Sequence, residues 1–464
     1  MSVFIAPVYD NVMAMVGSTP MVETTRLDTG CCRLLLKLET HNPGNSIKDR
    51  IAVSMLDDAA ESGRLVAGGH VIEATAGNTG ISLALVGVQR GYRVTVVVPD
   101  KMSEGKIAHL KALGADVVLT RSDVAKGHPD YYQDVAQRLA DESGGFYVNQ
   151  FANEANVKAH FEGTGPEIWT QTDGVIDAFV AGVGSGGTIT GAGRYLKAHN
   201  PELQVVLADP AGSILAPLVN EGREVEPGTW LVEGIGEDFV PPICDLSVID
   251  EAIEVTDRDA FLAARDLLRT EGILAGSSTG TLLAAALTWC RRQTEPRTVV
   301  TIVCDHGAKY LNKMFNDFWM IDQGFIRREH HDNLRDLIAR RHMEREDFTL
   351  EPHLPVLQAV KTMRLQGVSQ MAVVKDGDVV GILDESDILM AVYRDRTAFQ
   401  SPVSDWMTTK LVTLAPDDSV DRLLPIFESD RVAIVRNQDD FFGIITKIDL
   451  IAWLRGQSEP AKEG

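Results

Sequence analysis

Lys48 stands where the charge of a lysine is unfavourable. It follows a turn-forming stretch, residues 42–46, and apolar residues recur at every fourth position from Ile47 to Ala59. This spacing predicts an amphipathic helix that is capped at the end of the turn and stops at Gly63. A cation in the first turn opposes the helix dipole. Lys48 is therefore either a solvated lysine or an amine that is bonded to something and does not carry its usual charge.

The segment EATAGNTG, residues 73–80, ends one apolar run and opens an apolar helix. Backbone N–H groups and hydroxyls at such a helix N-terminus suit a carboxylate. The alternative is an ordinary capped turn, although such a turn does not need both Gly77 and Gly80. The candidate groups belong to Thr75, Ala76, Gly77, Asn78 and Thr79.

Two further segments combine small residues with the start of a helix. In AGVGSGGTITG, residues 181–191, a phosphate cradle is predicted at Gly184, Ser185, Gly186, Gly187 and Thr188. A dinucleotide site is the alternative, with Asp209 about 20 residues on, but the glycine spacing does not fit it cleanly. In GILAGSSTGT, residues 272–281, the small residues serve close helix–strand packing or turn a serine hydroxyl toward a ligand.

The composition excludes several classes of protein. The chain has 464 residues, 44% of them hydrophobic, and a formal net charge of −22, so we expect no nucleic-acid partner. It has no apolar run near the ~20 residues that span a bilayer, and we predict no membrane association. The start lacks a basic region and a cleavage site, so we expect no signal peptide. Five cysteines without a CxxC pair favour reduced thiols and a cytoplasmic location, and no metal site is predicted.

Strand and helix patterns alternate through the first two thirds of the chain. This alternation predicts an α/β fold with a largely parallel sheet. The strand candidates are CRLLLKLE, HVIEA, RVTVVVPD, DAFVAG, LQVVLADP and TVVTIVCD. A charged stretch near residues 322–346 then reads as a linker with helical content.

An internal repeat follows this charged stretch. Met343 and Met407 lie 64 positions apart, and the same offset relates a Thr-Leu pair, a proline and a valine. Each copy ends alike, in VVGILDESDIL and FFGIITKIDLI. A duplication of this size predicts two copies that pack as a pseudo-symmetric pair.

Together these segments resemble a known family. The order PGNSIKDR, TAGNTG, GVGSGGTITG, GILAGSSTG, over roughly residues 8–320, is similar to the fold type II pyridoxal-phosphate enzymes of the cysteine synthase and cystathionine β-synthase family. The repeats resemble CBS motifs, whose tandem pair is a Bateman module. The resemblance implies two open twisted sheets with flanking helices, followed by that module. The expected domains are 1–325 (catalytic), 326–342 (linker), 343–400 and 401–458 (CBS motifs) and 459–464 (tail).

The resemblance also implies roles for individual residues. Lys48 would form a Schiff base with pyridoxal 5'-phosphate and later act as general base. Asn78 would bond the ring oxygen of the cofactor, and Ser278 would meet its pyridine nitrogen as a neutral partner. The glycine loop, Gly184 to Thr188, would hold the phosphate. The substrate-binding residues would be Thr75, Gly77, Thr79 and Gln150, the last of which is otherwise a simple loop residue.

The implied reaction is a β-replacement that joins L-serine and L-homocysteine into L-cystathionine and water. Release of H2S from cysteine plus homocysteine is a further expectation. O-acetylserine remains open as the activated substrate, with homocysteine or sulfide as nucleophile. A nicotinamide oxidoreductase and a non-catalytic nucleotide sensor are the interpretations from other classes. The family suggests a homodimer or homotetramer.

The chain departs from the family pattern at several positions. Ala76 replaces a serine that many relatives carry. Glu237, in a loop that matches one over the active-site mouth, stands where animal members have tyrosine; it is either a surface acid or a partner for the homocysteine amine. The N-terminal haem segment of animal members has no counterpart, because Cys31 and Cys32 do not match it, and we predict no haem.

The CBS repeats differ in their nucleoside signature, G-x-x-[ST]-x-x-D. Thr446 and Asp449 complete it in the second repeat, whereas Asp384 replaces the hydroxyl residue in the first. A second carboxylate there would repel a phosphate. Any adenosyl ligand should therefore prefer the site of Thr446 and Asp449. We expect S-adenosylmethionine to do little, and deletion after about residue 340 to lower the oligomeric order while basal catalysis remains.

Overall fold

A computed structural model describes residues 8–75, 77–100, 104–121, 123–124, 127–344, 346–438 and 440–458. Ala76 and the predicted tail, residues 459–464, lie outside the described residues. The chain divides into two compact units between Asn316 and Asp317, somewhat before the predicted boundary at residue 325. The predicted domain limits themselves stay predictions.

The larger sheet of the first unit has six strands. They are β1 (Met21–Glu23), β2 (Arg33–Leu38), β7 (Ala178–Ala181), β8 (Gln204–Pro210), β9 (Glu251–Val255) and β10 (Thr298–Val303). Their order is β1-β2-β10-β7-β8-β9, and all neighbours are parallel except β1 and β2. Every residue of β7 and β10 is buried, as expected for aliphatic strands that are covered on both faces.

The second sheet is parallel throughout. Its strands are β3 (His70–Ala74), β4 (Arg93–Pro99), β5 (Asp116–Thr120) and β6 (Phe146–Tyr147), in the order β5-β4-β3-β6. The six predicted strands are confirmed as β2, β3, β4, β7, β8 and β10. Sequence analysis did not find β1, β5, β6 and β9, because these strands are short or partly exposed and lack a continuous apolar run.

Four helices of the first unit begin at the predicted chemical motifs. The helices are α1 (Lys48–Glu61), α2 (Asn78–Gln89), α3 (Glu104–Ala112), α4 (Tyr132–Ser143), α5 (Glu154–Ala159), α6 (Gly165–Gln171), α7 (Gly187–His199), α8 (Leu215–Glu221), α9 (Asp257–Glu271) and α10 (Ser277–Arg291). A π-helical turn, His160–Thr164, joins α5 to α6. The motif helices are α1, α2, α7 and α10, and α2 and α7 follow the carboxyl ends of strands, where α/β folds bind ligands.

Two side chains hold the start of α1. The N-cap is Ile47, which has helical backbone angles and makes no side-chain cap. The expected cap at the end of the turn is present in part, because Ser46 Oγ accepts a hydrogen bond from Lys48 N (3.3 Å). Asp49 accepts one from Gly44 N (2.5 Å), which ties the turn to α1, and one from Ser82 Oγ (2.5 Å), which ties α1 to α2.

A buried ion-pair network anchors the same turn on its other side. Arg50 pairs with Glu39 (2.7 Å) and Glu167 (2.7 Å), and Lys37 pairs with Glu167 (2.6 Å). Burial raises the pKa of the Glu39 carboxyl, but Arg50 outweighs this effect and leaves the pKa below its ordinary value. Breaking such a buried pair leaves an uncompensated charge, which costs about 3–5 kcal/mol. Lys48 thus stands in a rigid helical turn.

The second unit contains the predicted repeat. After α11 (Asp317–Asp322), the first copy comprises β11 (Thr349–Leu350), α12 (Val356–Gln366), β12 (Gln370–Lys375), β13 (Asp378–Asp384) and α13 (Glu385–Arg394). The second copy comprises β14 (Thr413–Leu414), α14 (Leu423–Glu428), β15 (Ala433–Arg436), β16 (Phe441–Ile445) and α15 (Lys447–Ser458). Each copy forms a three-stranded sheet of one parallel and one antiparallel pair.

The copies pack through their sheets. Ala372 and Ile382 of the first copy join Ile434 and Phe441 of the second in one buried cluster. The charged stretch that reads as a linker also enters this unit, because Leu334, Leu337 and Ile338 are buried in the core of the second copy. Among the described residues, no helix is both long and apolar enough to cross a membrane.

Candidate active site

The backbone that follows β10 connects two of the motif turns. Ile47 N, just before Lys48, donates to Cys304 O (2.9 Å). Gly276 N, just before α10, donates to Asp305 O (3.0 Å). Residues 304 and 305 therefore hold the starts of α1 and α10 against the same strand end.

The side chain of Asp305 brings in the third motif. Its Oδ2 accepts from Asn78 Nδ2 (3.0 Å), at the start of α2, and from the Tyr310 hydroxyl (3.0 Å). Burial raises the pKa of this carboxyl, whereas Lys309 and the two hydrogen bonds lower it. No sequence motif marks Asp305, although it follows the carboxyl end of a parallel strand, where sites are expected.

The environment of the Lys48 amine favours its neutral form. Burial lowers the pKa of this amine below the usual value for lysine, and Glu237 and Asp305 oppose the shift. Among the described residues it has no hydrogen-bond or ion-pair partner. A desolvated lysine with a lowered pKa is both a nucleophile for a carbonyl and a general base. This is the physical reason why the chain tolerates Lys48 at the positive end of a helix.

The turn before α2 presents polar groups in fixed directions. Gly77 N donates to Thr75 Oγ1 (3.2 Å), and a Cβ added at Gly77 would meet only open space. The Thr79 hydroxyl donates to Gln150 Oε1 (2.7 Å), and Gln150 N donates to Glu73 Oε2 (3.2 Å). Gln150 is therefore close to the predicted carboxylate site, but its side-chain oxygen is occupied in orienting Thr79.

The glycine loop after β7 is required by close packing. Gly186 has a φ of +87°, which favours glycine. A Cβ at Gly184 would lie 2.4 Å from Gly234 O, and one at Gly187 would lie 1.9 Å from Asn156 Oδ1. The loop thus presents bare backbone at the N-terminus of α7, which is a cradle for an anion.

Two residues outside the predicted motifs support this loop. Asn156 Nδ2 donates to Ser185 Oγ (2.9 Å) and to Gln150 O (2.9 Å), so it joins the glycine loop to the segment that carries Gln150. His160 Nε2 lies 3.1 Å from Thr188 Oγ1. Burial lowers the pKa of His160 well below its usual value, so the ring is neutral. No sequence signal marks these residues, since they come from α5 and the π-helical turn.

Ser278 has a neutral environment. It is the second residue of α10 and is buried near the Cys304 thiol. Burial raises the pKa of Cys304 to about 12, so the thiol stays protonated. A ligand nitrogen at Ser278 would therefore meet a hydroxyl and not a charge.

An acidic group lies on the other side of Lys48. Burial raises the pKa of Glu237 to about 8, with a further contribution from Asp238, while Lys48 lowers it. Burial also raises the pKa of Asp209 to about 6, and its buried Oδ1 has no hydrogen-bond partner among the residues that the structure describes. Glu237 and Lys48 are close enough for each to shift the pKa of the other.

The predicted nucleoside residues lie in the second unit. A cleft of roughly 500 Å³ between the repeats is lined by Thr446 and Asp449. Asp449 Oδ2 accepts from Thr446 N (2.7 Å) and Thr446 Oγ1 (2.5 Å). In the first repeat Asp384 and Asp387 form a reciprocal capping box at α13, so their carboxylates serve the helix terminus.

Comparison with known proteins agrees with this arrangement. Residues 12–305 match the family described as pyridoxal-phosphate dependent enzyme, and residues 334–394 and 403–456 match the CBS domain. Cystathionine beta-synthase from Dictyostelium discoideum is 34% identical over 96% of this chain and 92% of its own length. Cysteine synthase A from Salmonella typhi is 39% identical, over 66% of this chain and 94% of its own. The crystal structure of a hydrogen sulfide-producing enzyme from Fusobacterium nucleatum is 34% identical with a TM-score of 0.61, over 66% of this chain and 100% of that chain.

The chain therefore belongs to the family of pyridoxal-phosphate dependent enzymes, and it is a lyase of that class. Its similarity to cystathionine beta-synthase extends over nearly the whole chain and includes the C-terminal CBS domains. The predicted family and fold class are confirmed. The nicotinamide and non-catalytic interpretations of the glycine loop and the repeats are set aside.

The residues present fit the cofactor. The bare backbone of the loop 184–187 at the start of α7 suits its phosphate, and the unpartnered Lys48 amine suits its aldehyde. Ser278 supplies a hydroxyl at a second helix N-terminus. When bound, pyridoxal phosphate supplies an aldehyde for a Schiff base and an acceptor for the electrons of the substrate α-carbon.

Lys48→Ala should fold but lose activity by several orders of magnitude. Alanine is a good helix residue, so α1 should persist, whereas the variant lacks the amine that we expect to act as nucleophile and base. Circular dichroism would report the fold and steady-state assays the turnover. Borohydride treatment should fix cofactor onto Lys48 in the unsubstituted enzyme and not onto Lys309 or Lys37. Near-normal turnover of the variant would refute this role.

Proposed function

We propose that the enzyme joins L-serine and L-homocysteine into L-cystathionine and water. The observation that carries the proposal is the proximity of two buried groups, the Lys48 amine and the Glu237 carboxyl, each of which shifts the pKa of the other. The Lys48 amine can act at the α-carbon of one amino acid. The nearby Glu237 carboxyl can bind the ammonium group of a second amino acid. The full-length similarity to cystathionine beta-synthase supports the same reaction.

In this proposal each motif binds one part of the substrates or cofactor. Thr75, Gly77 and Thr79 bind the carboxylate of serine, with Gln150 holding the Thr79 hydroxyl. The loop from Gly184 to Thr188 binds the cofactor phosphate. Asn78 donates to the cofactor ring oxygen, and Ser278 faces its pyridine nitrogen as a neutral partner, which moderates electron withdrawal and favours loss of a β-substituent over transamination.

Lys48 carries the protons. The Lys48 amine would take the α-proton of serine as general base and later return it to the α-carbon of the product. The β-hydroxyl would leave as water, and the sulfur of homocysteine would form the new bond to the β-carbon. The proton that the thiol gives up balances the proton that leaves with the hydroxyl, so the reaction needs no redox step.

Glu237 is assigned to the second substrate. Its loop is positioned by Ser213, whose Oγ lies 3.2 Å from Glu237 N and from Glu237 O. Asp209 adds negative charge nearby. An ammonium group is the natural partner for an acid whose own neighbours are acidic. Homocysteine carries such a group at a distance from its thiol.

A second candidate uses O-acetylserine in place of serine, with acetate as the leaving group. The similarity to cysteine synthase A over the first unit favours keeping this candidate. Release of H2S from cysteine plus homocysteine would follow from the same chemistry with a different leaving group. The similarity to a hydrogen sulfide-producing enzyme supports that side reaction.

Two further expectations belong to the proposal. The five cysteines are free thiols, and we infer that the enzyme works in a reducing compartment such as the cytoplasm. We also infer that catalysis needs no haem, so the purified enzyme should lack a Soret band. The Cys31 thiol donates to Glu295 O (3.0 Å), and Cys32 lies against Cys290.

Steady-state rates should favour serine over O-acetylserine when homocysteine is the nucleophile. Equal amounts of holoenzyme would be assayed with each donor, and cystathionine would be measured by mass spectrometry. We expect kcat/KM to be at least tenfold higher for serine. A clear preference for O-acetylserine would replace the leading candidate by the second one.

At pH 9, where the Glu237 carboxyl is ionised, Glu237→Gln should raise the KM for homocysteine about fivefold, which corresponds to ~1 kcal/mol. The raised pKa makes the carboxyl neutral below about pH 8, so in the unsubstituted enzyme this KM should rise as the pH falls from 9 to 7. The variant should lose that dependence, while release of water from serine alone stays nearly intact. Glu224→Gln, at an exposed acid of the same unit, is the control. An unchanged KM would make Glu237 a surface acid only.

For the CBS pair we propose a structural role in joining subunits. Both repeats expose large apolar side chains on equivalent helices. On α13 these are Leu389, Met390 and Tyr393, and on α15 they are Ile448, Ile451 and Leu454. Such exposed faces are typical of contact surfaces. The capping box of Asp384 and Asp387 leaves the site of Thr446 and Asp449 as the better candidate for a nucleoside.

Leu389→Asp combined with Ile451→Asp should lower the oligomeric order without loss of basal turnover. The charges would be placed on exposed positions, so the second unit should still fold. Light scattering would report the mass, with Leu365→Asp on α12 as the control. S-adenosylmethionine should change the melting temperature and rate little. A marked rise in melting temperature that Asp449→Ala abolishes would make the CBS pair a regulator instead.

A further inference from the structure

Lys309 lies inside the site, although no sequence motif includes it. It belongs to a short 3-10 turn, Gly307–Tyr310, after β10, and its side chain is only 13% exposed. Its Nζ donates a short hydrogen bond to Asn78 Oδ1 and lies 3.8 Å from Asp305 Oδ2. The amine therefore contacts the residue that is assigned to the ring oxygen of the cofactor.

The Asn78 amide is held between opposite charges. Its oxygen faces the Lys309 ammonium, and its nitrogen donates to the Asp305 carboxylate (3.0 Å). Lysine is only a donor and an ionised carboxylate only an acceptor, so these two partners allow a single orientation of the amide. A reversed amide would set NH2 against ammonium and oxygen against carboxylate. One of the two N–H bonds of Asn78 goes to Asp305, and the other has no acceptor within the described part of the chain.

We propose that Lys309 is a positioning residue for the cofactor, which acts through Asn78. It fixes the amide so that the second N–H of Asn78 points to the ring oxygen of pyridoxal phosphate. This inference rests on the proposed role of Asn78. It adds a residue and a physical cause that the four sequence motifs do not contain.

The charge of Lys309 has a second effect at the same atom. A cation behind Asn78 favours the anionic form of the cofactor ring oxygen, because the site is largely screened from water. Burial lowers the pKa of the Lys309 amine and Lys106 adds to this shift, whereas Asp305 and Asp49 oppose it and favour the charged form. Loss of Lys309 should therefore change the absorption spectrum of the bound cofactor, which a purely structural residue would not do.

The first experiment titrates full-length apoenzyme with pyridoxal phosphate and follows fluorescence and absorption. Lys309→Met should weaken cofactor binding about tenfold and move absorption from the visible to the near-ultraviolet band. Lys309→Arg, which keeps the charge, should restore part of both properties. Lys197→Met removes a lysine that is paired with Asp250 (2.6 Å) in the same unit, and it should change neither. Normal binding and spectrum in Lys309→Met would overturn the inference.

A double-mutant cycle then tests whether Lys309 acts through Asn78. In an Asn78→Ala background, Lys309→Met should cause no further loss of cofactor affinity. Full additivity of the two losses would overturn the inference while leaving the role of Asn78 intact. Normal cofactor affinity in Asn78→Ala alone would instead overturn the proposed role of Asn78, and the inference with it. Lys309→Gln, which keeps a donor but not the charge, serves in the same cycle if the methionine variant is unstable.

Discussion

The buried carboxylate of Asp305 is the constraint on which the catalytic unit depends. The side chain of Asp305 accepts a hydrogen bond from Asn78, and its backbone oxygen accepts one from the turn before α10. The neighbouring carbonyl of Cys304 holds the residue before Lys48. Because one strand end organises three motif turns, the distances among Lys48, Asn78 and Ser278 are set by β10 and not by the loops that carry them.

Around this point, the unit balances charge with helix termini. The starts of α2, α7 and α10 direct backbone N–H groups into the site, which favours the anionic phosphate and carboxylate of the ligands. The same field is unfavourable for a charged Lys48, and burial lowers the pKa of its amine further. The ion pairs of Arg50 and the hydrogen bonds of Asp49 hold the backbone of α1 in place against these effects. Rigid support thus holds the buried Lys48 amine in place among these helix termini.

The C-terminal unit shows how a duplication becomes asymmetric. Both copies keep the same strands and the same bulge in the central hairpin. They differ where one residue changes: Asp384 caps α13 together with Asp387, whereas Thr446 donates to Asp449 in the second copy. In both copies the carboxylate, Asp387 or Asp449, accepts a hydrogen bond from the backbone N–H of the residue three positions earlier, so this part of the arrangement survives the change. Only the second copy retains the hydroxyl and carboxylate combination of the nucleoside signature.

The sequence by itself determined the family, the α/β class, six of the strands, the repeat and the helices that begin at the motifs. These features depend on local patterns: apolar runs, glycine-containing turns and the positions of hydroxyls. Only the tertiary structure revealed Asp305, Lys309, Asn156 and His160. It also showed that Gln150 orients Thr79 and that Leu334 packs in the core of the second repeat. Their contacts join residues far apart in the chain. The pKa of Glu237 has the same origin, since burial and neighbouring charges arise only when the chain folds.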